Sequence, residues 1–257
     1  MVSLFLKNQF QTHNFMQLKR SMVNASISTA KTVIAHFGMH LPPFAHWSIE
    51  QWQQAGPEYN EIRDCMLGWD VTDFGSKDFY NIGRTLFTVR NGRMNQPGYP
   101  KQYAEKWLID PENQRAPAHF HLSKREDIIC RAGGNVLVQL TKADAEGNPS
   151  RENFLTQVDG CSRRLGPGDI VRLHPGESLT IHPRTIHQFW GEEGTGWRID
   201  GVGYTLSAEI SSVCDDLNDN VFLVDYGVRF PEIDEDEARL CYLCHEYPAA
   251  SPALISQ

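Results

Sequence analysis

Apolar residues recur at helical spacing in the first third of the chain and at strand spacing in the rest. Ile27, Ala30, Ile34 and Phe37 lie three or four positions apart, which places them on one helix face. Ser26 is placed to cap the start of that helix and Gly38 to close it. Ser48 with Gln51 three residues on is a capping-box spelling that opens a second short helix. Glu58 to Leu67 reads as a third, stopped by Gly68. From Asp78 onward the runs shorten. Thr85–Val89, Lys106–Ile109, Ala118–His121, Asp127–Cys130, Val136–Leu140, Ile170–Leu173, Leu179–His182, Tyr204–Ile210 and Val221–Asp225 read as strands. Asn91-Gly92 spells a hairpin turn, and Gly133-Gly134, Gly147-Asn148-Pro149, Gly166-Pro-Gly-Asp169 and Pro175-Gly176 mark further turns. So many short strands predict a mainly β protein, a sandwich or barrel carrying N-terminal helices. The expected organisation is a flexible extension over 1–22 and one domain over 23–257, its segment 23–75 helical and packed on the barrel.

Composition narrows the class. The chain has 257 residues with 24 basic against 32 acidic side chains, a net charge of −8, which disfavours partners that are nucleic acids or anionic membranes. Apolar residues at 40% and aromatics at 11% exclude a disordered chain. No apolar run approaches the ~18 residues that span a bilayer. Met1–Leu6 is shorter than the ~7–15 residues of a secretory core, so the expectation is a cytoplasmic protein with reduced thiols at all six cysteines. Cys241-Tyr-Leu-Cys244-His245 has the spelling of a covalent haem site, but its apolar neighbours predict a buried strand instead. The acidic run Glu232–Glu237 reads as a solvated turn.

The candidate chemistry centres on His119-Phe120-His121. Residues i and i+2 of a strand share a face, so both imidazoles can hold one ion while Phe120 packs away. A turn over Leu122–Arg125 returns Glu126 toward the same ion on a neighbouring strand, and the Gly133-Gly134 turn would pair the strands around Ile128 to Leu140. His174, His182 and His187 compete for the last ligand position. His187 is favoured because Pro183-Arg-Thr-Ile leads through a turn into a strand. Three neutral imidazoles and a carboxylate suit divalent Mn, Fe, Co, Ni or Zn, with positions left for water or substrate. Lys106, beginning a strand of alternating character, can enter the barrel, where apolar burial would lower its pKa and make it a proton carrier. Glu209 and Asp225 on late strands are alternative carriers, and Arg229 can anchor a hydroxyl.

The run from His119 to Gly133 resembles the first cupin motif, with Asn113 where a leading glycine usually stands. Leu165 to His187 resembles the second, one residue short between Pro183 and His187. Gly68–Gly75, Glu126–Ile129, Val171–Glu177, Asp215–Asn220, Arg229–Asp236 and Glu246–Pro248 are together similar to the D-lyxose isomerase family over about residues 20 to 248. The resemblance implies a cupin barrel and interconversion of D-lyxose with D-xylulose and of D-mannose with D-fructose, with Mn2+ favoured. The same ligand set on the same barrel would also serve an Fe(II) dioxygenase or a non-catalytic sugar-binding cupin. A phosphosugar substrate would need a cationic clamp, for which Lys124, Arg125, Arg131 and Arg172 are the candidates. Exposed barrel edges predict a homodimer.

Overall fold

The computed structural model describes residues 16–251. Helix α1 spans Arg20–His36, α2 Ile49–Gln54 and α3 Asn60–Asp64, with 3-10 turns at Pro43–His46 and Pro57–Tyr59. Then come strands β1 (Gly68–Thr72), β2 (Arg84–Arg90), β3 (Tyr103–Pro111), β4 (His119–His121), β5 (Glu126–Ala132), β6 (Val136–Lys142) and β7 (Phe154–Val158). They are followed by β8 (Cys161–Leu165), β9 (Asp169–Leu173), β10 (Ser178–Ile181), β11 (Thr185–Gly191), β12 (Trp197–Ile199), β13 (Val202–Ser212) and β14 (Asn220–Phe222).

Two antiparallel sheets face each other. The larger runs β1-β2-β3-β13-β5-β10-β7-β8, with β12 paired to β13; the smaller runs β14-β4-β11-β6-β9. This is the cupin barrel with N-terminal helices. Alternation along β3 shows how the layers are made. Leu108 points between the sheets to join Leu86, Ile128, Val138, Leu140, Leu179 and Phe189, while Ile109 points back to α1. There it meets Val23, Ile27, Ala30, Val33 and Ile34, with Trp69 and Phe87 between. Each such buried aliphatic side chain contributes about 1.5–3 kcal/mol. Among the described residues no helix is long and apolar enough to cross a membrane.

Several local expectations change. α1 begins at Arg20, so Ser26 lies inside it rather than capping it. Its start is satisfied from far along the chain: Arg20 N donates to Asp234 O (2.8 Å) and Ser21 N to Asp236 Oδ1 (2.9 Å). The acidic run is therefore a cap for that helix, placed where carboxylates favour the dipole. Residues 1–15 of the expected extension lie outside the described residues, but Leu18 and Arg20 are fully buried, so the packed body begins before residue 23. The capping box of Ser48 and Gln51 is present.

Asn91-Gly92 is not a tight hairpin turn; a long loop joins β2 to β3. The buried Asn91 amide binds Cys214 N and O (both 3.0 Å), and a Cβ on Gly92 would strike the Lys101 carbonyl. Gly133 and Gly134, at φ +80° and +132°, turn the chain from one sheet to the other, so β5 and β6 are not a pair. Cys241–His245 is a turn, not a strand. It is held by Cys244 N donating to Trp69 O (2.7 Å), with both thiols buried and free.

Candidate metal centre and active site

The site is built where β4 meets β11 and faces β5 across the barrel. His119 and His121 point inward from β4, while Phe120 packs on the other face with Ala143, Ile186 and Val221. Register places His187 of β11 directly opposite His119. Donor atoms of His119, His121 and His187 all lie within 4.8 Å of one another. His174 and His182 are bound elsewhere, to Asn135 (3.0 Å) and Gln157 (2.9 Å).

Glu126 arrives from the opposite sheet rather than from a neighbouring strand. Asp219 holds the turn that delivers it. Its carboxylate accepts from Ser123 N (2.8 Å), Ser123 Oγ (2.7 Å) and Lys124 N (3.0 Å). Glu126 Oε1 is then 3.0 Å from His187 Nε2, and Oε2 is 3.5 Å from His121 Nε2.

The imidazole chemistry fits a divalent cation. His119 Nδ1 donates to Pro117 O (2.8 Å) and His187 Nδ1 to Thr185 O (2.9 Å). Those bonds leave Nε2 of each ring as a lone pair. His187 Nε2 is buried without a hydrogen-bond partner yet faces a carboxylate oxygen, an arrangement that a shared cation relieves. Burial, with the neighbouring rings, holds His119 well below its ordinary pKa, and burial followed by the Lys124 charge lowers His121. Both are neutral at pH 7, the state in which an imidazole can hold a cation. Burial alone would raise Glu126, but Lys124 and the imidazoles outweigh it and keep it anionic.

A second group of charges stands beside the imidazoles. Lys124 Nζ lies between Glu126 Oε2 (2.6 Å) and Glu209 Oε1 (2.7 Å), all three buried. Glu209 is placed by β13, directly opposite Lys106 on β3. Despite burial, Lys106 and Lys124 hold Glu209 below its usual range. Lys106 itself pairs with Asp216 (3.1 Å). Burial would lower its pKa as expected for an apolar cavity, but Asp216 reverses the sign, so the ammonium is held charged and is not a ready base. Arg229 is buried between Asp70 and Asp216 rather than on the surface. Arg84, its guanidinium 3.9 Å from the Phe189 ring centroid, pairs with Asp110 (3.2 Å), whose carboxyl burial pushes up to about 6.

Lys106, Glu209 and Arg229 thus line one chamber with His119, His121 and Glu126. Asp225 does not. It follows β14 on an exposed stretch, because that strand ends at Phe222. Asp216 and Asp70 were not singled out from the sequence, and Lys124 was named there only as a candidate phosphate clamp. Asp70 and Asp216 do fall inside the family-like stretches, whereas Lys124 looks like an ordinary loop charge.

Three inward imidazoles and a carboxylate in a double-sheet barrel give a cupin with a candidate metal centre. The D-lyxose isomerase family model matches residues 18–247, and the chain belongs to that family. It is 45% identical over 231 residues to a D-lyxose/D-mannose isomerase of Serratia proteamaculans, covering 90% of this chain and 98% of that protein. A D-lyxose/D-mannose isomerase of Escherichia coli O157:H7 is 42% identical over the same shares. Among solved structures, the L-ribose isomerase of Cellulomonas parahominis with L-ribose shares the fold. It has a TM-score of 0.58 at 13% identity, covering 85% of this chain and 99% of that one.

Proposed function

We propose that this enzyme is a metal-dependent aldose–ketose isomerase that interconverts D-lyxose with D-xylulose and D-mannose with D-fructose. The observation that carries the reading is the convergence of His119, His121, His187 and Glu126 in one buried chamber with a second acid, Glu209. Family membership favours isomerisation over dioxygenase chemistry or sugar binding without turnover on the same barrel.

Moving a carbonyl from C1 to C2 requires removing a weakly acidic proton beside it. A divalent ion held by the four donors, with Mn2+ the expected species, would supply Lewis-acid stabilisation of the charge that develops on the sugar. Glu209, anionic and buried, takes the C2 proton and returns it to C1. Lys124 keeps its carboxylate oriented, and the Lys106 ammonium donates to a sugar oxygen as charge builds. Arg229, fixed between Asp70 and Asp216, holds a hydroxyl further along the chain.

Charge in the chamber supports an unphosphorylated sugar. Lys124, Lys106 and Arg229 are each matched by carboxylates. Arg172 pairs with Glu192 at the surface, and Arg125 and Arg131 are exposed. None is left as a phosphate clamp. A cytoplasmic homodimer is the expected state, with exposed Leu155 and Ile170 as candidates for burial; light scattering tests the dimer.

The decisive assay supplies purified protein with Mn2+, Co2+, Fe2+, Ni2+ or Zn2+ in turn and measures ketose formed from D-lyxose and D-mannose. Conversion is expected, with His119→Ala and Glu126→Gln losing bound metal and turnover together. No ketose from either sugar with any metal overturns the reading.

A further inference from the structure

A second chamber adjoins the first, and the two share Lys106, Asp216 and Arg229 as their common wall. His119, His121 and Glu126 line only the inner one, so the reacting carbons of an aldose belong there and its far end points to the shared residues. The outer chamber is much the larger, about 220 Å3 against about 50 Å3. A terminal CH2OH takes the room of one or two waters, ~10–30 Å3 on the same measure. The outer space exceeds what the end of a pentose or hexose needs.

Its lining has the mixed character of a sugar site. Met66, Met94 and Phe230 offer apolar surface for the C–H face of a ring, while Arg93 and Asp215 offer polar edges for hydroxyls. The chamber carries no surplus positive charge. Lys106 and Arg229 are neutralised by Asp216 and Asp70, Asp64 and Asp215 are carboxylates, and the remaining cation is Arg93. That balance suits a neutral polyol and opposes a phosphate.

We infer that the outer chamber is a subsite for a neutral glycosyl group on the far end of the aldose, so that the enzyme also isomerises hexoses glycosylated at O6. The inference rests on the isomerase reading above. The reaction needs no co-reactant: C2 loses its hydrogen and C1 gains one, the hydroxyl proton passes from O2 to O1, and the glycosidic bond is untouched.

The test compares D-lyxose, D-mannose, 6-O-α-D-mannosyl-D-mannose and D-mannose 6-phosphate with the metal-supplied enzyme, following the ketose by chromatography. Expected is conversion of the disaccharide with kcat/KM within tenfold of D-mannose, and at least a hundredfold less for the phosphate. Arg93→Ala and Met94→Ala, both at exposed positions, should raise KM for the disaccharide at least fivefold and change that for D-lyxose less than twofold. The inference is overturned if D-mannose is converted and the disaccharide is not, if the phosphate matches the disaccharide, or if both variants affect the two sugars alike. Failure of all four sugars instead overturns the isomerase reading and this one with it.

Discussion

Two networks of charged side chains hold this molecule, one between the sheets and one where α1 meets the C-terminal segment. In the inner one, Lys124 bridges Glu126 and Glu209, and Asp216 bridges Lys106 and Arg229, all within a chamber from which bulk water is largely removed. In the outer one, Arg20 grips Glu235 (2.7 Å) and Glu246 (2.6 Å), and Arg239 binds Glu235 again (2.5 Å). The outer network leaves Glu235 41% exposed, whereas Glu126 and Lys124 are 2% and 4% exposed. Burying an ion costs several kcal/mol that its partner only partly returns, and apolar residues of the same volume would stabilise a barrel at least as well. In the proposed reaction the inner network acts on the substrate, whereas the outer one ties α1 to the C-terminal segment.

The largest expected effect breaks the functional half of that contrast. Glu209→Gln keeps the shape and one acceptor but cannot carry a proton, so turnover should fall about 10²–10⁴-fold while bound metal, measured on the same sample, is retained. A loss below tenfold would remove Glu209 from the proton transfer. Asp225→Ala, on the exposed stretch, should leave turnover unchanged and serves as its control. Next in size, Lys124→Met removes the cation that bridges Glu126 and Glu209, leaving Lys106 as the remaining ammonium acting on Glu209. Stability at pH 7 should drop by about 3–5 kcal/mol in denaturant unfolding, a cost that isolated surface pairs never approach.

The imidazole half of the site was legible because its signal is local. His119 and His121 are two apart, strand geometry puts them on one face, and a glycine-rich turn follows. His187 could be preferred over His174 and His182 only from its turn and strand; the structure sets it opposite His119, with the other two rings bound elsewhere. In the charged half Lys106, Glu209 and Arg229 could be named singly, but their pairing was not legible, because Glu209 and Lys106 are brought opposite each other by a register between strands a hundred residues apart. For the same reason the sign of the Lys106 shift was misread. Burial was foreseeable, but Asp216 was not. The fold class followed from strand count and turn spacing. The N-terminus of α1 did not, since its cap comes from Asp234 and Asp236 rather than from its own sequence.

In the outer network Arg20 is fully buried, so removing its charge should cost more than removing either acid. Arg20→Met strands Glu246 in a half-closed setting and should lower stability by about 2 kcal/mol, read as a shift in the denaturant midpoint without a change in slope. A change in slope would mean that α1 detaches separately from the barrel.

The smallest effect is the most specific to pH. Hydrogen bonds from Arg20 and then Arg239 lower the Glu235 carboxyl from its usual 4.5 to about 2. Because its folded pKa is depressed, Glu235 contributes stability that is fully present above pH 4.5 and is lost as pH falls toward 2. Its exposure and salt screening discount that contribution to about 1 kcal/mol. Glu235→Gln should therefore unfold about 1 kcal/mol more easily than the parent at pH 7, and the difference should shrink when both are measured at pH 3. It should shrink as well in 1 M salt, where the Debye length is only ~3 Å. The Lys124→Met deficit, set in a chamber that mobile ions do not enter, should survive the same salt. If salt erased both deficits equally, the inner pairs would be as solvated as the outer ones, and burial could no longer be what separates the two networks.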